Sequence, residues 1–200
     1  MKKCVSIIDY GSGNWLSIQN SFKRIGCKCK VSKDEGSLME SDFLVLPGVG
    51  AFKPAMKSIN EKRLDKIIFN HVEKGKPLIG ICLGMQLLGI SSSENGETRG
   101  LGLINSKVTS IGHQKWHIGW NSIALTKKDK LFISSNKKDF YFNHSYAYLD
   151  DGDHVLSITK FNDIEFASII RSKNIIGVQF HPEKSQYSGD LLLNSIIESF

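Results

Sequence analysis

The chain has 200 residues, 40% hydrophobic and 23% charged, the composition of an ordinary globular protein that can bury a core without disulfide or metal staples. Its formal net charge of +6 raises nucleic acid as a partner. The lysines are scattered, however, as at Lys127, Lys128, Lys130, Lys137 and Lys138, and no aromatic-flanked basic motif accompanies them. Solvated loops account for the charge.

In chain order, Cys4 to Asp9 is a β-branched apolar run that reads as a central strand. It meets Asp9 too soon to serve as a signal segment, and no later run is long enough to span a membrane, so a cytoplasmic protein is expected. Tyr10-Gly-Ser-Gly-Asn14 is a turn. Trp15, Ile18, Phe22 and Ile25 then recur at helical spacing until Gly26. Lys28–Ser32 and Phe43–Leu46 are short strands, the second ending at Pro47-Gly-Val-Gly50. Leu64, Ile67, Ile68 and Val72 mark one face of a second helix, stopped at Gly75. An apolar strand through Leu78, Ile79 and Ile81 follows, and then a further helix. To about residue 90 the order is therefore β-α-β-β-α-β-α, which predicts a parallel sheet flanked by helices.

The second half is richer in strands, predicted at 107–110, 121–125, 139–142, 155–159, 166–170 and 175–180, with Gly, Asn, Asp and Ser turns between them. An antiparallel half is expected, closed by a helix over about 190–200 with Leu192, Leu193, Ile196, Ile197 and Phe200 as its stripe. The fold class is α/β. With no repeat and no linker, residues 1–200 read as one domain.

Three strand ends carry chemistry. At the first, Gly80-Ile-Cys82-Leu-Gly84 is a nucleophile elbow with cysteine in place of serine, its glycines allowing a sharp turn from strand to helix. Such a turn lifts the sulfur above the sheet edge and beside a helix N-terminus, where an anion is favoured. At the second, the strand from Ile175 runs into His181-Pro-Glu183. Side chains spaced i, i+2 can share a side, so Glu183 can hold His181 as a base for the thiol. At the third, Leu46-Pro47-Gly48-Val49-Gly50 offers backbone N–H groups that, with that of Leu83, could cradle an oxyanion. The Gly-Lys-Ser/Thr ending of a phosphate loop is absent. Cys4, Cys27 and Cys29 lack zinc-ligand spacing and are read as structural, and no metal or cofactor is expected.

These stretches, Ile79-Gly-Ile-Cys-Leu-Gly-Met-Gln86, Leu46-Pro-Gly-Val-Gly50 and Val178-Gln-Phe-His-Pro-Glu183, resemble the triad-type (class I) glutamine amidotransferases. Ile8-Asp-Tyr-Gly-Ser-Gly-Asn14, Gly100-Leu-Gly102, His117-Ile-Gly-Trp-Asn121, Tyr141-Phe-Asn-His-Ser-Tyr146 and Phe180-His-Pro-Glu-Lys-Ser185 narrow the resemblance to the glutaminase subunits of imidazole glycerol phosphate synthase. The resemblance implies a flavodoxin-like sheet and a Cys82, His181, Glu183 triad that hydrolyses L-glutamine through a thioester. It also implies Gly50 and Leu83 as oxyanion donors, and Gln86 and Glu94 holding the amino-acid end of glutamine. The implied partner is a HisF-type β/α-barrel cyclase that takes up the ammonia in histidine biosynthesis, with Asn14, Trp120 and Lys184 at the interface and glutamine hydrolysis slow until the partner binds.

Two positions depart from that pattern. Trp116 stands where proline is usual, before His117, and Asn143 where valine is usual. Both leave the acceptor open, because relatives similar in every triad motif supply ammonia for amidination or amidation of surface-polysaccharide amino sugars. A non-catalytic binding subunit and a cysteine peptidase on a related fold are the remaining alternatives. The intact triad argues against the first, and the Pro-Gly-Val-Gly and Phe-His-Pro-Glu stretches argue against the second.

Overall fold

A computed structural model describes residues 2–112 and 115–200. The elements are β1 (Cys4–Ile8), α1 (Trp15–Arg24), β2 (Lys28–Ser32), α2 (Glu35–Met39), β3 (Phe43–Leu46), α3 (Phe52–Glu61), α4 (Leu64–Glu73), β4 (Leu78–Ile81) and α5 (Leu83–Leu87). The second half adds β5 (Ser91–Ser92), β6 (Thr98–Arg99), β7 (Lys107–Ser110), β8 (His117–Ser122), β9 (Ala124–Leu125), β10 (Asp139–His144), β11 (Tyr146–Tyr148), β12 (Val155–Phe161), β13 (Ile164–Ser172), β14 (Ile175–Val178) and α6 (Gln186–Glu198). The main sheet runs β2-β1-β3-β4-β14-β13-β12-β9. Its first five strands are parallel, and β13, β12 and β9 extend it antiparallel. Outside it lie the β8–β10 ribbon and a small sheet in the order β11-β7-β5-β6.

Both faces of the parallel half are covered, and its strands are accordingly apolar throughout. Val5, Ile7, Phe43, Val45, Ile79 and Ile81 point to one face, where α1 supplies Ile18 and Phe22 and α6 supplies Leu192, Leu193, Ile196 and Ile197. Ile8, Leu44, Leu46 and Leu78 point to the other, under α3, α4 and α5. Arg24 clamps α1 to α6 with two hydrogen bonds of 2.6 Å to the Asp190 carboxylate.

The α/β class and the parallel-then-antiparallel division agree with the sequence reading, but several elements differ. Parallel β2 and β3 lie on either side of β1, and the short α2 joins them, capped by Asp34 accepting from the Ser37 N–H at 2.8 Å. The sequence reading has neither α2 nor α3. The expected strand at 121–125 is two strands, β8 and β9, on different sheets. The last helix starts earlier and ends sooner, at Gln186–Glu198. The most consequential difference is β14. Although it belongs to the second half, it runs parallel to β4, with Val178 opposite Ile81. That pairing brings the elbow and the His-Pro-Glu segment to one edge.

Candidate active site

The backbone of Cys82 adopts φ 53° and ψ −110°, a region that L residues rarely occupy and that costs roughly 1–3 kcal/mol. The surroundings leave it no alternative. Its N–H donates to Val178 O at 2.8 Å, tying the elbow to β14, and its carbonyl accepts from Gln86 N at 3.2 Å, starting α5. A Cβ on Gly84 would stand 1.9 Å from Leu46 O, and one on Gly80 would stand 2.8 Å from Gly84 O and Met85 N. The elbow therefore seats backbone against backbone. Because α5 has only five residues, its dipole is a smaller influence on the sulfur than the sequence suggests.

Side chains surround the sulfur instead. Gln179 continues β14 and is fully buried, and its Nε2 donates to Cys82 Sγ at 3.8 Å. Two residues on, His181 has its N–H anchored on Tyr141 O at 2.8 Å. Its Nδ1 lies 2.8 Å from Glu183 Oε1, and the Cys82 thiol is within side-chain hydrogen-bonding reach of the ring. Both side chains of the His–Glu pair are buried, and Glu183 Oε2 has no protein partner among the described residues, so the carboxylate charge is directed at the imidazole. Burial pushes the His181 pKa down. The Cys82 sulfur, by charge and hydrogen bond, and the Glu183 carboxylate outweigh it and hold the imidazole up to about 10.

Cys82 and His181 open into a cleft of about 430 Å³ lined also by Val49, Gly50, Leu83, Gln86, Glu94 and Tyr146. Gln86 uses its amide nitrogen inward, donating to Tyr146 O at 2.7 Å and to Gln179 Oε1 at 3.1 Å. This orientation leaves its oxygen as the atom free to accept. Glu94 reaches across from the β5–β6 hairpin to accept from the Phe52 N–H at 2.7 Å, capping α3, whose own N-cap is Ala51. A carboxylate and an amide oxygen in one cleft suit an ammonium group.

The loop after β3 is strapped by the turn after β1. Tyr10 Oη donates to Pro47 O at 2.9 Å, and Ser12 Oγ donates to Val49 O at 3.0 Å. A trans peptide sends its carbonyl and N–H to opposite sides, so the Gly50 N–H points away from Ser12. Gly50 has φ 99°, a conformation that favours glycine. Leu83 is the first residue of α5, where a backbone N–H has no intrahelical acceptor.

A line of imidazoles runs behind the cleft. His144 Nδ1 donates to Tyr146 O at 3.0 Å, so its Nε2 accepts from His117 Nδ1 at 3.1 Å, and His117 Nε2 accepts from Asn121 Nδ2 at 3.3 Å. The carbonyl at one end sets every tautomer. Burial pushes His144 down to about 3, with His117 and His181 adding to the effect, and burial takes His117 down to about 4.

The residues read as interface positions lie around this edge. Asn14 precedes α1, which packs against the turn Pro182–Lys184. Lys184 is exposed and sits 5.5 Å from the centre of the Tyr141 ring, and Trp120 is 50% exposed with its ring 6.2 Å from the same tyrosine. Core packing is thus excluded for Trp120. A wider open depression between Lys128, Arg171 and Glu198 is lined by neither cysteine nor histidine. Among the described residues there is no cluster of His, Cys, Asp and Glu able to hold a metal, and no helix is long and apolar enough to cross a membrane.

Gln179 stands inside the Val178–Glu183 motif, which by itself points to no role for it. The available signal was a polar residue at the end of an apolar strand, two positions before His181 and therefore on the same side.

Comparison with known proteins matches residues 6–197 to the family described as Glutamine amidotransferase class-I. A protein of Aquifex aeolicus named imidazole glycerol phosphate synthase subunit HisH is 43% identical, with 94% of this chain and 93% of that protein covered. One of the same name from Geobacillus kaustophilus is 37% identical over 96% and 95%. In structure, a chain of PurLQS from Thermotoga maritima superposes with a TM-score of 0.81 at 19% identity, covering all of this chain and 99% of that one, a likeness of fold.

Proposed function

We propose, from the premise that the chain belongs to the class I glutamine amidotransferase family, that it is the glutaminase subunit of an imidazole glycerol phosphate synthase. The observation that carries the reading is the strained Cys82 facing a buried His181–Glu183 pair across the β4–β14 register. In this reading Cys82 Sγ attacks the side-chain carboxamide carbon of L-glutamine, with the thiol proton on His181. The tetrahedral oxyanion forms against the N–H groups of Gly50 and Leu83. His181 returns its proton to the departing nitrogen, ammonia leaves, and a γ-glutamyl thioester remains. Water, deprotonated by His181, hydrolyses the thioester to glutamate. Glu183 keeps the imidazole oriented and stabilises its cationic form. Gln86 Oε1 and the Glu94 carboxylate receive the substrate's α-ammonium group. No cofactor or metal has a step to perform.

The partner in this reading is a HisF-type β/α-barrel cyclase that consumes the ammonia, and the pair acts in the cytoplasm. A set of neighbouring residues supports the docking face: exposed Trp120 and Lys184 against the half-buried Tyr141, with half-buried Asn14 and exposed Trp15 at the start of the neighbouring α1. Aromatic residues are what protein interfaces favour, and the exposed Lys184 ammonium suits the polar rim of one. Because the same edge holds the straps from Tyr10 and Ser12 to Pro47 and Val49, docking can reach the oxyanion loop directly.

The experiment measures glutamate release from L-glutamine with and without the barrel partner. The wild type is expected to be slow alone and faster with the partner, and Cys82→Ala inactive in both. Glutamine hydrolysis by Cys82→Ala at the wild-type rate would refute the triad. Complementation of a strain lacking this subunit tests the acceptor: failure there, with glutaminase activity intact, would point to an amino-sugar acceptor instead.

A further inference from the structure

Two side chains at the mouth of the cleft bond to each other and have no part in the triad. Trp116 lies just before β8, 62% exposed, and lines the cleft. Its indole Nε1 donates to Asn143 Oδ1 at 2.8 Å. Asn143 belongs to β10, whose alternation buries Phe140, Phe142 and His144 and turns Tyr141 and Asn143 outward. Its side chain is therefore not required by the core. The backbone carbonyl of the same residue accepts from Cys82 Sγ at 3.7 Å. Asn143 thus holds the indole with its side chain while its backbone lies against the reacting sulfur. A large exposed ring has little packing to hold it, so this hydrogen bond is its main restraint.

We infer that Trp116 and Asn143 form a paired latch that sets the width of the cleft mouth above Cys82, and so determines which amides and electrophiles reach the sulfur. A slim, unbranched carboxamide side chain passes beneath the indole, and a bulky one does not. The inference deepens the glutaminase reading of this cleft and rests on it for its substrate, though not for its geometry.

The test is the rate at which the full-length chain is alkylated at Cys82 by a small reagent, iodoacetamide, and by a bulky one, N-benzylmaleimide. Peptide mass spectrometry separates Cys82 from Cys4, Cys27 and Cys29. Trp116→Phe keeps a ring and loses the donor, and Asn143→Val keeps the strand and loses the acceptor. Each is expected to speed the bulky reagent about two- to tenfold, the range one neutral hydrogen bond supports, and to leave iodoacetamide unchanged. The double variant should gain nothing further, and Asn143→Asp, which retains the acceptor, should keep the wild-type ratio of the two rates, its added charge slowing both reagents alike. Equal acceleration of both reagents, no acceleration of either, or additive effects in the double variant would overturn the latch. If Asn143→Val does not fold, the reagent ratio in Trp116→Phe decides alone. Alkylation requires no turnover. A latch that behaves as expected in a chain releasing no glutamate with its partner would therefore sink the glutaminase reading alone. Normal turnover with an unchanged reagent ratio would sink only the latch.

Discussion

Gly84→Ala tests how tightly the elbow is seated. The added Cβ would lie 1.9 Å from Leu46 O and 2.7 Å from Leu46 C, both backbone atoms of a central strand, and real Cβ contacts essentially never fall below 3.0 Å. Either α5 or the end of β3 must retreat by about 1.1 Å, the difference between those two distances. Neither is free to do so, because β3 is hydrogen-bonded to β1 and β4, and α5 continues directly from Cys82. Overpacking of this kind costs about 3 kcal/mol, the upper end of its usual range. In a chain of this length, that lowers Tm by about 6–12 °C. The same displacement moves Cys82 and the Leu83 N–H away from the Gly50 loop, and misplacement of about 1 Å can cost about 100-fold in kcat. Thermal melting and steady-state glutamate release with the partner present read the two effects. Gly96→Ala is the control. Gly96 has φ 100° and nothing within 4 Å of an added Cβ, so it introduces backbone strain without a collision. It should cost roughly 1 kcal/mol and leave kcat alone. If Gly84→Ala melted and turned over like Gly96→Ala, the elbow would not be held by backbone contact, and the account of Cys82's strained conformation would fail.

Gln179→Leu removes the amide that donates to the sulfur and accepts from Gln86 while conserving most of the volume. Loss of one hydrogen bond to a charged group at roughly 1.5–3 kcal/mol should lower kcat about tenfold or more, with Tm changed little, and an unchanged kcat would remove Gln179 from the site. Glu94→Gln removes the charge opposite the substrate's ammonium yet keeps an oxygen for the Phe52 N–H. KM should rise at least tenfold while Tm holds, whereas Glu94→Ala should also lose about 1 kcal/mol through the uncapped α3, read by urea denaturation. Stability should fall as pH drops. Unfolded imidazole takes up a proton near pH 6.5, and folded His144 does not until about pH 3, so between these values the unfolded chain binds more protons and folding weakens by about 1.4 kcal/mol per pH unit. His117 and His71, both lowered to about 4 by burial, act in the same direction. His181, raised to about 10, works oppositely: its contribution is complete below about pH 6.5 and is lost as pH rises from there to about 10. A urea midpoint that does not fall between pH 7.5 and 5.5 would contradict the neutral, buried state of these rings.

The strands and the elbow were legible because buried parallel strands are unbroken apolar runs and the sharp turn requires its glycines. Helix α3 was missed even though Phe52, Ala55, Met56 and Ile59 form a stripe. Pro54 interrupts that stripe as a breaker would, yet it stands in the first turn, where a missing N–H breaks no intrahelical bond. Helix α2 is too short to show any stripe and depends on the Asp34 cap. At the site, His181 and Glu183 are two residues apart, and their pairing could be read directly. Gln179 acquires its contact with Cys82 only through the register of strands 97 positions apart, and Trp116 meets Asn143 only because β8 and β10 pair. Both departures from the family pattern were visible, but not that they touch.

The line from Asn121 through His117 and His144 to Tyr146 O runs in one direction, every donor pointing the same way. Passing a proton along it would require each ring to turn over inside a packed core, among Phe142, Phe161 and Phe166. These two imidazoles therefore insulate the cleft rather than wire it to solvent. The proton that leaves the sulfur has one place to go, the ring held by Glu183, and it stays available there until the departing nitrogen takes it.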